Sequence, residues 1–373
     1  MSEKQPLLEQ YTQHKGQRYV LVIHGGAGTM SKEGSTPEQQ AAYKASLRAA
    51  LEAGYNVLRQ GGEAMDAAVA AVTSMEDNPL FNSGKGAVFN VDGKNELEAS
   101  LMLSKPPASH PEIPPSRRGL GATLLTRARN PSHLVRALYL APSAAPHTFL
   151  SGATAEAVGA SLGTELVDPS YFFTEHRWRE HRRALGLPEE PLPQHVRAQA
   201  DIPPLDQLPT GTVGAVALDV RGCIAVLTST GGRTNKLVGR IGDTPSMGSG
   251  FWAEAWGETQ RSWVQKVLDR ICRKRKRHPR AVGVSGTGDG DYFIRLATAA
   301  TIARRVQYLH EPLEKAAKTA VQDLLVEGGI GGVIALDDQG NVAMPLNCPG
   351  MYRGVIREDG VPKTAIFADD ELD

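Results

Sequence analysis

Three short segments place hydroxyl side chains beside glycine: Gly211-Thr212-Val213-Gly214, Thr228-Ser229-Thr230-Gly231-Gly232 and Ser285-Gly286-Thr287-Gly288. Taken singly, each is ordinary chemistry, since threonine suits pleated strands and glycine suits turns. The setting of the first one adds weight. Residues 186–211 hold six prolines and little apolar content, and they run directly into Gly211-Thr212 at the head of an apolar strand. That arrangement suits a peptide bond that breaks and leaves Thr212 as a new N-terminus. A free α-amino group titrates near pH 7.7–8.0, so one residue would supply both the nucleophilic hydroxyl and its base. Such a site needs no histidine.

Other chemistries find less support. The sequence contains no HExxH, no GxxxxGK[ST] and no GxSxG, so the common metalloprotease, P-loop and serine-hydrolase signatures are missing. Gly286-Thr287-Gly288-Asp289-Gly290 lacks dinucleotide-loop spacing and has no acidic residue placed for a ribose. His176 and His181 lie in a strongly basic stretch and read as surface helix residues. Cys223, Cys272 and Cys348 are too widely spaced for a zinc site or a disulfide framework.

The elements that would position the hydroxyls can be read from patterning. Residues 19–23 read as a buried strand entering a glycine-rich loop, His24-Gly25-Gly26-Ala27-Gly28. A helix is expected over 37–60, with Ala41, Leu47, Ala50, Leu51 and Leu58 on one face and Thr36-Pro37-Glu38-Gln39 as its start. A second helix is expected over 63–75, a hairpin over 86–103 turning at Asp92-Gly93, and an exposed proline-rich insertion over 104–118. Helices follow at 131–140 and 153–162, with a solvated one at 174–185. Two segments share a design of apolar strand, Asp-x-x-Gly turn and apolar strand: VGAVALD to CIAVLTSTGG, and GGVIALDDQGNVAMPLN. They imply a central antiparallel sheet, covered by helices at 292–307 and 312–327. The class is α+β.

Composition fits one large globular unit. Of 373 residues, 41% are hydrophobic and 39 are glycine. Lys plus Arg (41) equal Asp plus Glu (41), which disfavours a wholesale nucleic-acid or membrane-surface binder. The polar N-terminus lacks the apolar segment of a secretory signal, and there is no membrane-length apolar run. A cytoplasmic protein is expected, with nuclear import through the basic tract 270–280 as the alternative.

The sequence resembles the plant-type L-asparaginases and isoaspartyl peptidases, which are N-terminal-nucleophile threonine hydrolases. The matching segments are VLVIHGGAGT (20–29), NPLFNSGKGAVFN (78–90), GTVGAVALD (211–219), TSTGGRTNKLVGRIGD (228–243), VSGTGDGDYFIR (284–295) and MPLNCPGMYRG (344–354). They span most of the chain in the family's order. The resemblance implies a four-layer αββα sandwich with antiparallel central sheets. It implies one catalytic domain, 1–373, that cuts itself between Gly211 and Thr212 into segments 1–211 and 212–373. Two such heterodimers would pair. The implied activity is hydrolysis of L-asparagine and β-aspartyl dipeptides, with no cofactor for catalysis.

By the same resemblance, Thr212 is the nucleophile and Thr230 the threonine that hydrogen-bonds it. Arg240 clamps the substrate α-carboxylate, and Asp243 holds the α-ammonium. Thr287 and Gly288 form the oxyanion hole, Gly290 adjoins the substrate, and Asn82 lies near the nucleophile. Backbone carbonyls of Met75, Glu76, Asn78, Phe81, Ser83 and Lys85 would hold a structural sodium ion.

The sequence departs from the family pattern in three places. Leu97-Glu98-Ala99 and Met102-Leu103-Ser104 stand where Met-Asp-Ala and Met-Asp-Gly are usual. Gly286 replaces a cysteine, and Asp291 stands near the place of a glutamate. A basic insertion at about 256–280 carries nine Arg or Lys within 261–280 and patterns as an amphipathic helix with a basic tail. Two alternatives remain: a threonine aspartase-like endopeptidase, and a non-catalytic relative that binds partners through this insertion.

Overall fold

The computed structural model describes residues 18–188, 211–257 and 280–373. Most of the proline-rich stretch 186–211 and of the insertion at about 256–280 therefore lies outside the described residues. The chain opens on β1 (Val20–Gly28), buried along its whole length. The expected loop at His24–Gly28 is thus strand: a bulge between His24 and Gly26 absorbs the irregularity, and Gly26 takes φ +124. Helix α1 (Pro37–Leu58) starts at the expected capping box, where the Gln39 N–H donates to Thr36 Oγ1 and the Thr36 N–H to Gln39 Oε1. Its buried face is Tyr43, Leu47, Ala50, Leu51, Gly54 and Leu58, and Ala41 is exposed instead. Helix α2 (Ala64–Glu76) follows.

The expected hairpin over 86–103 is a single strand, β2 (Leu97–Leu103). Residues 87–90 run beside it as irregular buried chain, held by side chains in place of a ladder. Asn95 Nδ2 donates to the carbonyls of Ala87 and Val88, and the Val88 N–H donates to Asn82 Oδ1. The insertion after β2 is exposed for much of its length but buries Ile113. Next come β3 (Gly119–Leu125), α3 (Pro131–Leu140), β4 (Phe149–Ser151), α4 (Gly152–Ser161) and α5 (Glu175–Ala184). α5 is less solvated than its charge implies. Arg177 is buried and donates through Nε to the Gly86 carbonyl, and buried His181 bonds Asn235 Oδ1.

The C-terminal part supplies β5 (Val213–Leu218), β6 (Ile224–Thr230), β7 (Phe251–Ala255), β8 (Ala281–Gly288), α6 (Gly290–Leu296), α7 (Thr298–Leu309) and α8 (Leu313–Val326). It ends with β9 (Gly331–Asp337), β10 (Val342–Ala343), β11 (Gly350–Ile356) and β12 (Lys363–Phe367). The expected helix at 292–307 is broken at Ala297, which sits at φ 46 between α6 and α7.

Two sheets form, so the two hairpins that patterning put in one central sheet lie in separate ones. The larger has the order β12-β11-β1-β5-β6-β2-β3-β4, antiparallel except for β3 with β4, and the smaller is β10-β9-β8-β7. Each takes one of the two Asp-x-x-Gly hairpins. In both turns the aspartate carboxylate accepts two backbone N–H groups, Arg221 and Cys223 for Asp219, Gln339 and Asn341 for Asp337. Gly222 and Gly340 close them at φ +71 and +77.

Strand alternation divides the core. Leu21 and Ile23 of β1 face a cluster shared with α1 and α2, while Val20 and Val22 face one shared with Phe251, Ile334 and Leu336 of the smaller sheet. The far side of the smaller sheet packs Val282, Val284, Val333 and Ala335 on α7 and α8.

Candidate active site

Thr212 precedes β5 in the middle of the larger sheet and is 4% exposed. Its neighbours arrive from three other strands. The Thr212 N–H donates to Thr287 Oγ1 of β8 at 3.1 Å, and the same oxygen accepts the Ala27 N–H of β1. Thr230, ending β6, donates its hydroxyl to the Gly211 carbonyl at 3.2 Å and accepts the Gly232 N–H at 2.9 Å. The peptide bond between Gly211 and Thr212 is therefore gripped on both sides, its carbonyl by one threonine and its nitrogen by another.

Glycine makes this closeness possible. A Cβ on Gly26 would stand 2.9 Å from the Gly211 Cα, so the bulge of β1 lies directly on the bond's carbonyl side. A Cβ on Gly214 would fall 2.2 Å from Ser285 Oγ and 2.4 Å from His24 Nε2, which explains the glycine two residues beyond Thr212.

His24, which patterning placed only in a glycine-rich loop, is a part of the site. Its Nδ1 lies 2.7 Å from the Thr212 carbonyl and its Nε2 2.7 Å from Ser285 Oγ. A carbonyl only accepts, so Nδ1 carries the proton and Nε2 accepts from Ser285. Complete burial pushes the imidazole down to about 3, so it is neutral at any physiological pH. It fixes the Thr212 peptide plane, and both its ring nitrogens are already engaged, by the Thr212 carbonyl and the Ser285 hydroxyl.

Asn82 spends its amide on two backbone contacts, donating to the Gly232 carbonyl at 2.7 Å and accepting the Val88 N–H at 3.0 Å. It ties the 78–90 loop to the turn after Thr230. Gly288 ends β8 at φ +143 beside Thr287.

Arg240 and Asp243 come together over Gly290. A Cβ there would lie 2.3 Å from Asp243 Oδ1 and 3.3 Å from Arg240 Nη2. Arg240 Nη2 donates to Asp291 Oδ1 at 2.8 Å. Arg240 Nε and Asp243 Oδ2 meet no hydrogen-bond partner among the described residues. Burial, and then the neighbouring Glu98 carboxylate, push the Asp243 carboxyl up to about 7. A buried guanidinium edge beside a buried carboxylate oxygen, both unspent, is the complement of an α-amino acid head group.

Residues 17–257 and 278–366 match the family model described as Asparaginase. The chain belongs to the asparaginase family. The gap in the match falls within the basic insertion. A relative titled "Putative isoaspartyl peptidase/L-asparaginase" from Dictyostelium discoideum is 35% identical over 359 residues, covering 90% of this chain and 93% of its own. "Isoaspartyl peptidase" from Escherichia coli strain K12 is 35% identical over 93% of this chain and 96% of its own. "Isoaspartyl peptidase/L-asparaginase" from Xenopus laevis is 30% identical over 91% and 93%.

In this member of the family, the loop from Met75 to Lys85 folds tightly on itself. A Cβ on Gly84 would strike the Glu76 carbonyl oxygen at 2.3 Å, and one on Gly86 the Phe81 and Pro79 oxygens at 2.2 and 2.4 Å. Ser83 and Ser229 share a hydrogen bond, and Ser229 donates to the buried Glu76 carboxylate at 2.7 Å. Lys85 turns away and donates to the Tyr171 carbonyl.

Proposed function

We propose that this chain cleaves its own Gly211–Thr212 bond and then hydrolyses L-asparagine and β-aspartyl dipeptides, with Thr212 as nucleophile. The observation that carries this reading is the grip on that bond, with Thr230 on the Gly211 carbonyl and Thr287 on the Thr212 nitrogen. In the first stage Thr212 Oγ attacks the Gly211 carbonyl carbon, and the Thr230 hydroxyl steadies the developing oxyanion. The C–N bond breaks, the nitrogen takes the proton, and water hydrolyses the resulting ester. Thr212 is left with a free amine.

In the second stage that amine takes the proton from Thr212 Oγ as it attacks the substrate side-chain carbonyl. Ammonia or an amino acid leaves, a β-aspartyl ester forms, and water releases aspartate. Arg240 receives the α-carboxylate and Asp243 the α-ammonium, with Thr287 and Gly288 at the oxyanion. A pocket built around an amino-acid head favours small substrates over the endopeptidase alternative.

The proposal includes a cation at the 75–85 loop. Carbonyls of Met75, Glu76, Asn78, Phe81, Ser83 and Lys85 suit a hard ion such as sodium, whatever their side chains. Support comes from Gly84 and Gly86, which let the chain fold back onto the carbonyls of Glu76, Phe81 and Pro79 and so gather backbone oxygens in one tight loop. Such an ion would fix the loop that carries Asn82. The layering expected for the family, helices outside two facing sheets, is supported by the three core clusters. A cytoplasmic enzyme of paired two-chain units completes the reading; among the described residues no helix is long and apolar enough to cross a membrane.

The test is the mass of purified protein beside Thr212→Ala. Segments 1–211 and 212–373 from the wild type, the second beginning with threonine, and one intact chain from the variant are expected. Release of aspartate from asparagine and β-aspartyl dipeptides by the cut form alone completes it. A wild type that stays uncut and inactive would overturn the reading.

A further inference from the structure

The loop 236–243, which carries Arg240 and Asp243, is not held by apolar burial. Leu237, Val238 and Ile241 are 73%, 54% and 43% exposed. A loop whose apolar side chains face solvent needs another anchor, and two carboxylates at the start of β2 supply it. Glu96 accepts the Gly239 N–H at 3.1 and 3.3 Å through its two oxygens, and Glu98 accepts the Gly242 N–H at 2.9 and 3.2 Å. The Lys236 ammonium donates to the Glu96 carbonyl, closing the near end of the loop. The two accepted N–H groups stand on either side of Arg240.

We infer that Glu98, assisted by Glu96, is a positioning residue for the substrate clamp: the two carboxylates seat the loop that presents Arg240 and Asp243, and so set how the substrate head group is received. The inference rests on the proposed clamp roles. Glu98 is completely buried, lies opposite Thr230 in the β2–β6 ladder, and also accepts the Thr123 hydroxyl at 3.3 Å. A Cβ on Gly242 would stand 2.7 Å from Arg240 Nη1 and 3.1 Å from Glu98 Oε2, so guanidinium and carboxylate close over the same glycine. This is also one of the places where the sequence departs from the family pattern, with glutamate for aspartate. The longer side chain reaches the Gly242 N–H from β2.

Charge follows geometry. The groups facing Asp243 are Glu98 from β2, Arg240 from its own loop and Asp291 from α6; Glu98 itself faces Lys236 and Arg240. Glu98 therefore has two effects: it fixes the loop, and it makes Asp243 harder to ionise.

The test compares E98Q and E96Q with the wild type, on the cut enzymes, measuring KM and kcat for asparagine across pH. E98Q keeps an oxygen for the Gly242 N–H but loses the charge. At alkaline pH its KM is expected to rise roughly tenfold, the scale of one weakened hydrogen bond to a charged group, with kcat changed far less. The rise of KM on acidification, which sets in for the wild type as Asp243 protonates near 7, should move to lower pH in E98Q. It should stay in place in E96Q, whose KM alone rises. A purely structural role would lower the yield of cut protein and leave that pH position untouched. Wild-type KM and pH position in both variants would overturn the inference, as would a loss confined to kcat. Should E98Q fail to cut, E96Q decides: an unchanged KM there would equally overturn it. Failure of the underlying reading looks different, because the wild type itself would then be uncut or idle.

Discussion

At the scale of single residues, the proposed reading separates making a bond from holding a substrate. Thr212, Thr230 and Thr287 surround one peptide bond, while Arg240 and Asp243 keep polar atoms unspent among the described residues. Arg240→Ala should still yield cut protein. Its KM for asparagine should rise roughly 10- to 100-fold, the scale of a lost charge-assisted bond, as steady-state kinetics will show. Normal turnover would remove Arg240 from the clamp. Asp243 also costs stability. Its carboxyl is raised from its ordinary value to about 7, so between those pH values the folded state holds a proton that the unfolded chain releases. Stability from this group is therefore greatest at low pH and is lost as pH rises through about 7. Asp243→Asn should show a higher Tm than the wild type at pH 8, with the gap closing toward pH 5, while asparagine turnover falls. A Tm difference that does not vary with pH would contradict the buried-charge account.

At the scale of elements, glycines decide where chain can approach chain. Gly86→Ala would push a Cβ into the Phe81 and Pro79 carbonyls, and forced overpacking of this kind typically costs about 1–3 kcal/mol. If the loop holds sodium, the wild-type Tm should rise in sodium chloride relative to choline chloride at equal ionic strength, and Gly86→Ala should lose that response. Equal melting of the wild type in both salts would remove the ion. Some of this architecture was legible in the sequence. The Thr36–Gln39 capping box, the Asp-x-x-Gly turns and most helix limits depend on neighbours a few residues apart. Residues 87–90 did not form a strand because Asn82 and Asn95 take the Ala87 carbonyl and both backbone groups of Val88, while Phe89 and Asn90 bond the backbone of Asn235 and Lys94. His24–Gly28 formed one because β11 and β5 flank it, a pairing that local pattern does not contain. The three threonines that meet at the Gly211–Thr212 bond lie in segments that the family resemblance had singled out. The sequence flagged Glu98 only as a departure, since its partner, the Gly242 N–H, lies far along the chain.

At the scale of the whole molecule, the proposed cut falls inside the larger sheet. Read across that sheet, β11 lies on β1, β1 on β5, and β6 on β2, so segments 1–211 and 212–373 meet at each of these ladders. Neither segment contains the whole of the larger sheet. Before the cut, folding is first order. After it, rebuilding the sheet requires two chains to find each other. Refolding of Thr212→Ala from denaturant should be independent of concentration, whereas recovery of the cut protein should fall on dilution. Equal yields at all concentrations would mean that one segment folds alone. The interleaved strand order would therefore make the proposed cut a one-way passage. A cut molecule can keep its structure but not readily regain it, so its working lifetime is set by how slowly the sheet comes apart and not by the equilibrium between folded and unfolded forms.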